Sequence, residues 1–184
     1  MRTSIAIAVV LIVLVLLFNS LVNKKNKTLN AFAGIDVLLK KRYDLIPNLV
    51  SAVKQYMKHE REVLTRITEL RTRALKGELS DDEKVTLDKQ MSGAIKGLMV
   101  AVEKYPELKA NENFLQLQAA LNEVEEQISA ARRAYNATVL EYNNALEMIP
   151  SNVMAAMMRY KKKRFFEIVE AEKAPVPVQT IFES

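Results

Sequence analysis

The side chains best suited to catalysis are few in this sequence, and they do not form a recognisable catalytic set. His59 is the single histidine of the 184 residues and lies in the segment KHERE. The zinc-protease motif HExxH requires a second histidine where this chain has Val63, and a di-iron bundle requires Glu-x-x-His on two helices. The chain has no cysteine, which excludes thiolate ligands and cysteine nucleophiles. We therefore predict a protein that is not an enzyme and that holds neither a metal nor another cofactor.

The clustered carboxylates also do not indicate a catalytic site. Glu123, Glu125 and Glu126 lie within four positions of one another. On a helix such a group is more typical of a solvated face than of a general acid and base. We therefore favour an enzyme that uses His59 or these carboxylates less than either of two non-enzymatic functions.

Two tyrosine–asparagine pairs are more informative. Tyr135-Asn136 and Tyr142-Asn143 lie seven residues apart, so a helix puts both tyrosines in one seam and both asparagines on its flank. We predict that the asparagines hydrogen-bond across to another helix and set the register of the two helices. A ligand or partner site at the asparagines is the alternative. The predicted inter-helix polar network consists of Asp36, Arg42, Asn48, Asn136 and Asn143.

A basic and aromatic cluster follows near the C-terminal end. Its charge suits anionic lipid headgroups or a protein partner, and its aromatic pair suits the membrane interface. No nucleic-acid motif accompanies the charge, so nucleic acid is not expected as a partner. A plain solvated basic turn is the alternative. The candidate residues are Arg159, Lys161, Lys162, Lys163, Arg164, Phe165 and Phe166.

The N-terminal segment must position all of these groups relative to a membrane. Residues 3–22 carry no charge, and residues 5–18 form an unbroken apolar run. Twenty helical residues span about 30 Å, the thickness of the hydrocarbon core of a bilayer. A cleaved secretory signal is the alternative, but the run ends in FNSLVNKKNK, without a small-x-small cleavage site. We predict an uncleaved transmembrane anchor over residues 1–27.

The distribution of charge suggests an orientation. Lys24, Lys25 and Lys27 follow the apolar segment, whereas only Arg2 precedes it, so the positive-inside rule favours a cytoplasmic bundle at the cell membrane. Residues 24–76 carry thirteen basic and five acidic residues, whereas residues 77–149 carry seven and thirteen. Opposite charge of this kind is suited to helices that pair within one bundle or between copies, although differently charged solvated faces would give the same count.

Beyond the anchor, we predict an antiparallel bundle over residues 28–164, made of three long helices and one short helix. Residues 28–76 have a helical apolar period and form one helix or two collinear ones, with a kink or restart at Pro47 that Asp44 caps. Gly77 ends this part, and Ser80 with Glu83 forms a capping box for a second helix that runs to about residue 105.

The third predicted helix has the strongest pattern. It runs from an N-cap at Asn111 to Ile149, and its apolar residues alternate three- and four-residue steps, a heptad stripe that requires partner helices. A short fourth helix, capped by Ser151, covers roughly residues 152–160, and an extended tail covers residues 165–184. The stripe consists of Phe114, Leu117, Leu121, Val124, Ile128, Ala131, Tyr135, Thr138, Tyr142 and Ala145.

Three segments resemble the LemA family of bacterial membrane proteins: IDVLLKKRYDLIPNLVSAVKQYMKHE (35–60), AVEKYPELKANENFLQLQAALNEVEEQISAARRAYNATVLEYNNALEMIPSN (101–152) and the closing FFE…APV. The resemblance implies a membrane helix followed by a long antiparallel helical bundle, in a family without an agreed catalytic function. Some relatives act in magnetosome membrane organisation, and others are encoded near membrane metalloproteases.

We therefore expect a membrane-anchored, non-enzymatic helical scaffold that self-associates into a homo-oligomer. The alternative is an adaptor that binds a membrane protease or another membrane-remodelling partner.

Overall fold

The computed structural model describes residues 2–57, 59–77 and 79–166. These residues form helices and connecting turns without a β-strand, which confirms the all-α prediction. The predicted tail lies outside the described residues from position 167 onward. The helices are α1 (Arg2–Lys54), α2 (Arg61–Leu75), α3 (Asp81–Val102), α4 (Pro106–Lys109), α5 (Glu112–Glu147) and α6 (Ser151–Met157).

Helix α1 joins the apolar N-terminal segment to the bundle without a break. It runs for 53 residues and contains Pro47, so the predicted restart at that proline is wrong. Asp44 is not a cap, because its carboxylate accepts a hydrogen bond from Lys40 of the same helix. Proline leaves the carbonyl four residues earlier without its helical donor. The side chain of Arg71 supplies that donor, because its Nε lies 2.9 Å from the Tyr43 carbonyl oxygen.

The contact between Arg71 and Tyr43 also shows that α2 folds back along α1. The two helices form an antiparallel hairpin whose turn includes residues 55–57 and 59–60, so the prediction of one helix or two collinear ones is wrong. Met57 lies in this turn with its side chain buried in the core. The turn contains neither glycine nor proline, so the sequence gives no local signal for it.

The later helices begin where their caps predict. Ser80 and Glu83 form the capping box of α3, and the Asn111 side chain accepts a hydrogen bond from Phe114 N–H at the start of α5. Helix α3 ends at Val102, and Pro106 is the first residue of α4. The prediction for α6 is wrong in detail, because Ser151 lies inside the helix and its hydroxyl donates to the Met148 carbonyl.

Helix α5 lies antiparallel to α1 along nearly the whole bundle. Lys24 pairs with Glu141 at one end and Arg42 with Glu125 further along, as an antiparallel register requires. Every residue of the predicted heptad stripe is buried or half-buried. The main core lies between this stripe and α1, α2 and α3, and a small separate core of Leu21, Ala145 and Ala155 closes the end next to the apolar segment.

Candidate functional site

A cluster of four charged side chains and one serine lies in the centre of the bundle. Arg42 comes from α1, Asp88 and Ser92 from α3, and Glu125 and Arg132 from α5. Each helix places its member on the flank of an apolar stripe, so the charged groups meet where the stripes converge. Arg42 and Asp88 are 1% and 2% exposed, which is rare for charged residues unless they are paired.

The hydrogen bonds make Asp88 the centre of the cluster. Its two carboxylate oxygens accept one bond each, at 2.7 Å from Arg42 Nη2 and at 2.6 Å from Arg132 Nη2. The other terminal nitrogen of Arg42 donates to Glu125 and Ser92, both at 2.9 Å. Two guanidinium groups therefore face two carboxylates, and the formal charge of the cluster is zero.

The carboxylates of this cluster stabilise the ionised form of Arg42. Burial lowers the pKa of Arg42, but Asp88 and Glu125 outweigh burial and hold that pKa above its usual value. The same cluster acts on Tyr43, whose pKa is raised because burial disfavours the phenolate more than Arg42 favours it. These paired charges link three helices in one register, which is the best-attested use of buried polar groups.

A second polar site holds the chain that follows α6 against α5. The Asn143 side chain accepts a hydrogen bond from Lys163 N–H and donates one to the Lys163 carbonyl, both at 2.9 Å. Asn136 makes the same pair of 2.9 Å bonds with Phe166. We call these two side chains the asparagine clasp.

The spacing of the asparagine clasp fits the segment that it binds. Seven residues of helix rise about 10.5 Å, and three residues of extended chain span about 10 Å. Two turns of α5 therefore match the distance from Lys163 to Phe166 along the chain. Each asparagine makes the two bonds that a residue of a neighbouring β-strand would make.

The prediction that Asn136 and Asn143 bond to Asp36, Arg42 and Asn48 is thus wrong. The asparagines bind backbone of the C-terminal segment, Arg42 belongs to the charged cluster, and Asn48 is exposed on α1. Asp36 pairs with Lys84 of α3, with 2.5 Å between Nζ and Oδ2.

The sequence pattern that defines the LemA family matches residues 31–180, which include both the charged cluster and the asparagine clasp. The chain belongs to the LemA family. A protein named LemA from Metamycoplasma hominis is 25% identical over 158 residues, which cover 86% of this chain and 72% of that protein. Magnetosome protein MamQ 2 from Paramagnetospirillum magneticum is 23% identical over 195 residues, with 92% and 72% covered.

In this LemA-family chain the basic and aromatic cluster is not one continuous surface. Phe166 is buried, and its ring packs 5.9 Å from Phe32 and 5.3 Å from Tyr135 between ring centroids. Its predicted insertion into a membrane interface is therefore wrong. Phe165 is partly exposed, and Lys163 pairs at 2.7 Å with Asp81 at the start of α3.

The remaining basic residues lie nearer to the apolar half of α1. Arg159 and Lys161 are exposed, and Lys162 pairs with Glu147 at the end of α5. The Arg164 backbone carbonyl accepts a hydrogen bond from the Tyr135 hydroxyl, at 3.2 Å. Burial, with smaller effects of Asp81 and Asp82, raises the pKa of Tyr135 to about 12, so this hydroxyl remains a donor at neutral pH.

A groove of about 1030 Å³ lies between the end of α1 and α2, at the end of the bundle far from the apolar segment. Its floor is apolar, and four of the five charged residues that line it are basic. Sequence reasoning missed this groove because it exists only when α2 folds back on α1. The apolar lining is Val50, Met57 and Leu64, and the charged lining is Lys54, Arg61, Glu69, Arg73 and Lys76.

His59 is exposed in the turn between α1 and α2. Among residues 2–57, 59–77 and 79–166, no group of three or more histidine and carboxylate side chains is arranged to hold a metal ion. The carboxylates and terminal guanidinium nitrogens of the charged cluster bond to one another, and the asparagine clasp bonds to backbone, whereas Nε of Arg42 and Nε of Arg132 are buried without a hydrogen-bond partner among the described residues. Their arrangement is suited to holding helices and a chain segment in place.

Proposed function

We propose that this chain is a single-pass protein of the bacterial cell membrane whose helical bundle acts as a non-enzymatic, self-associating scaffold. The observation that carries the proposal is the continuity of α1. Residues 2–20 of this helix are exposed apart from half-buried Leu17, and they have the length and hydropathy of a candidate membrane span. From Leu21 onward the same helix packs into the bundle.

The geometry of α1 fits an anchor with a rigid bundle attached to it. The nineteen residues from 2 to 20 extend about 28 Å, close to the hydrocarbon thickness of a bilayer. The packed part from Leu21 to Val53 extends about 50 Å further. Without a flexible linker, all copies in one membrane carry equivalent surfaces at equal heights above it, which favours lateral association.

Charge complementarity suggests how two copies associate. The groove between α1 and α2 is basic and lies at the far end of the bundle. Exposed Glu107 and Glu112, from α4 and the start of α5, lie near that same end because α5 runs antiparallel to α1. We infer that Glu107 and Glu112 of one copy lie against the basic groove of the next.

Size measurement of the full chain in lipid nanodiscs or detergent tests self-association. Arg61 lines the groove at the first turn of α2, where an acidic residue suits the helix dipole, so Arg61→Glu should shift the oligomer toward monomer without unfolding the helix. Lys96→Glu reverses an exposed charge on α3 away from the groove and is the matched control. Monomeric unsubstituted protein at all concentrations would refute self-association.

The same groove is suited to an acidic segment of a different membrane protein, which is the adaptor function. Relatives named magnetosome proteins support a role tied to a bacterial organelle rather than to a soluble substrate. Crosslinking in native membranes from a cysteine at groove residue Thr72 separates the two functions, because the natural chain has no cysteine. Recovery of self-linked dimers supports the scaffold, and recovery of one defined foreign protein supports the adaptor.

Anchoring and orientation have their own test. Intact mass of membrane-extracted protein shows whether residues 1–27 are retained. The basic residues beside the span, including Lys24, Lys25 and Lys161, favour a cytoplasmic bundle. A cysteine at exposed Val100 should react with a membrane-impermeant maleimide only after the cells are opened.

A further inference from the structure

The turn between α5 and α6 exposes an unusually apolar surface at the end of the bundle next to the candidate span. Ile149 is 84% exposed and Met157 is 75% exposed, and their neighbours on this surface are also exposed. We call this surface the apolar tip. The apolar tip consists of Met148, Ile149, Pro150, Val153 and Met157.

The register between α1 and α5 fixes the height of the apolar tip. Thr28 donates to the Thr138 carbonyl at 3.3 Å, and Leu21 packs with Ala145. Helix α5 continues to Glu147, about 3 Å of helix rise beyond Ala145, and Met148 and Ile149 follow it in the turn. The apolar tip therefore lies past the level of Leu21, beside the last residues of the apolar segment of α1.

The exposure of α1 independently supports this height. Leu17 is half-buried, whereas the other residues between Arg2 and Ser20 are exposed. The bundle therefore reaches past Leu21, where its packed core ends, and covers part of the candidate span. A bundle that stopped at Leu21 would leave Leu17 as exposed as its neighbours.

The chemistry around the apolar tip changes in the order of a membrane interface. The apolar side chains of the tip lie past the level of Leu21, and basic and tyrosine side chains lie next to them on the side of the bundle. Lys25 lies 4.7 Å from the centre of the Tyr160 ring, and Arg159 and Lys161 are exposed beside it. Tyrosine and basic side chains are the residues that prefer the headgroup region of a bilayer.

We propose that the apolar tip inserts into the lipid bilayer beside α1 and gives the bundle a second membrane contact. This proposal rests on the membrane anchoring proposed above. The occupant is lipid rather than another copy because the tip lies past Leu21, beside the last residues of the candidate span. Two membrane contacts on one rigid body fix the rotation of the bundle about the axis of α1 as well as its distance from the membrane.

Depth-dependent fluorescence quenching tests the proposal on the full chain, which has no natural cysteine. Ile149→Cys carries an environment-sensitive dye at the tip, Leu11→Cys reports on the span, and Val100→Cys is the exposed apolar control at the far end. Each variant is reconstituted in vesicles of equimolar phosphatidylcholine and phosphatidylglycerol with lipids spin-labelled at a shallow or a deep acyl position. Circular dichroism confirms that each variant retains its helix content.

We expect the dye at position 149 to be quenched most by the shallow spin label and the dye at position 11 most by the deep one. The dye at position 100 should be quenched by neither. If position 11 is quenched while position 149 behaves like position 100, the tip proposal is overturned and the anchoring stands. A blue-shifted but unquenched dye at position 149 also overturns it, because another copy then covers the tip. Loss of quenching at position 11 refutes the anchoring itself.

Discussion

Substitution of Asp88 by asparagine tests whether the charged cluster sets the register of the bundle. The replacement keeps the size of the side chain but removes the negative charge that makes the shortest contacts to both buried arginines, at 2.7 and 2.6 Å. Glu125 is 39% exposed and then remains as the only carboxylate of the cluster. The cluster is left with a net positive charge where Arg42 is 1% exposed.

Removing one partner of a buried ion pair costs about 3–5 kcal/mol, because the remaining charge stays desolvated. For a chain of this length that loss corresponds to a fall in melting temperature of roughly 6–20 °C. Urea unfolding of the full chain in detergent, followed by circular dichroism, measures the free energy directly. Asp44→Asn is the control, because its pair with Lys40 is exposed and should contribute about 0.3–0.5 kcal/mol.

A double-mutant cycle separates the pairing from other effects of the substitution. Arg132→Met should cost less in the Asp88→Asn background than in the natural chain, since it then removes a buried charge that has lost its closest partner. We expect a coupling energy of about 0.5–3 kcal/mol for groups in one network. An Asp88→Asn loss below about 1 kcal/mol, or additive effects of the two substitutions, would refute the reasoning.

Three further predictions concern the asparagine clasp, the proline in α1 and the cap of α3. Asn143→Ala removes two hydrogen bonds of about 0.5–1.5 kcal/mol each and should speed tryptic cleavage between residues 159 and 164 roughly tenfold. Asn144→Ala changes an exposed neighbouring residue and should leave the cleavage rate unchanged. Arg71→Met should cost about 1–3 kcal/mol in urea unfolding, and less in a Pro47→Ala background that restores the helical donor. Hydrogen bonds from Ser80 lower the pKa of Glu83. The ionised Glu83 therefore stabilises the fold at neutral pH, and this stabilisation is lost as the pH falls below the ordinary glutamate pKa and through the folded-state pKa. The free energy of unfolding of Glu83→Gln, measured as a function of acid pH, should lack this component.

The sequence predicted those parts of the fold that depend on local patterns. The apolar run, the capping box at Ser80 and the heptad stripe of α5 each lie within one segment, so their periodicity and caps are readable without knowledge of the partners. The hairpin between α1 and α2 depends on distant contacts instead. Burial of Met57 and the bond from Arg71 to Tyr43 favour a turn where the sequence has no turn residue.

Only some residues of the candidate site, on the flanks of the helices, could be predicted from the sequence. Spacing identified Asn136 and Asn143 as a pair, but their partners are backbone groups of residues 163 and 166, and backbone groups carry no sequence signature. Arg42 was identified as a network residue, whereas Asp88 and Arg132 were not. Charged residues next to the apolar positions of α3 and α5 were the available signal for them.

If α1 spans the membrane as proposed, its uninterrupted course makes the protein a lever at the membrane surface. Transmembrane helices tilt by about 20° on average, and they tilt further when the bilayer becomes thinner than the span. Rotation of a rod about 50 Å long by about 20° displaces its far end sideways by about 17 Å. Bilayer thickness would thereby set the lateral position of the groove. Shortening the acyl chains of the host lipid should therefore change the distances between spin labels placed at the far ends of neighbouring copies.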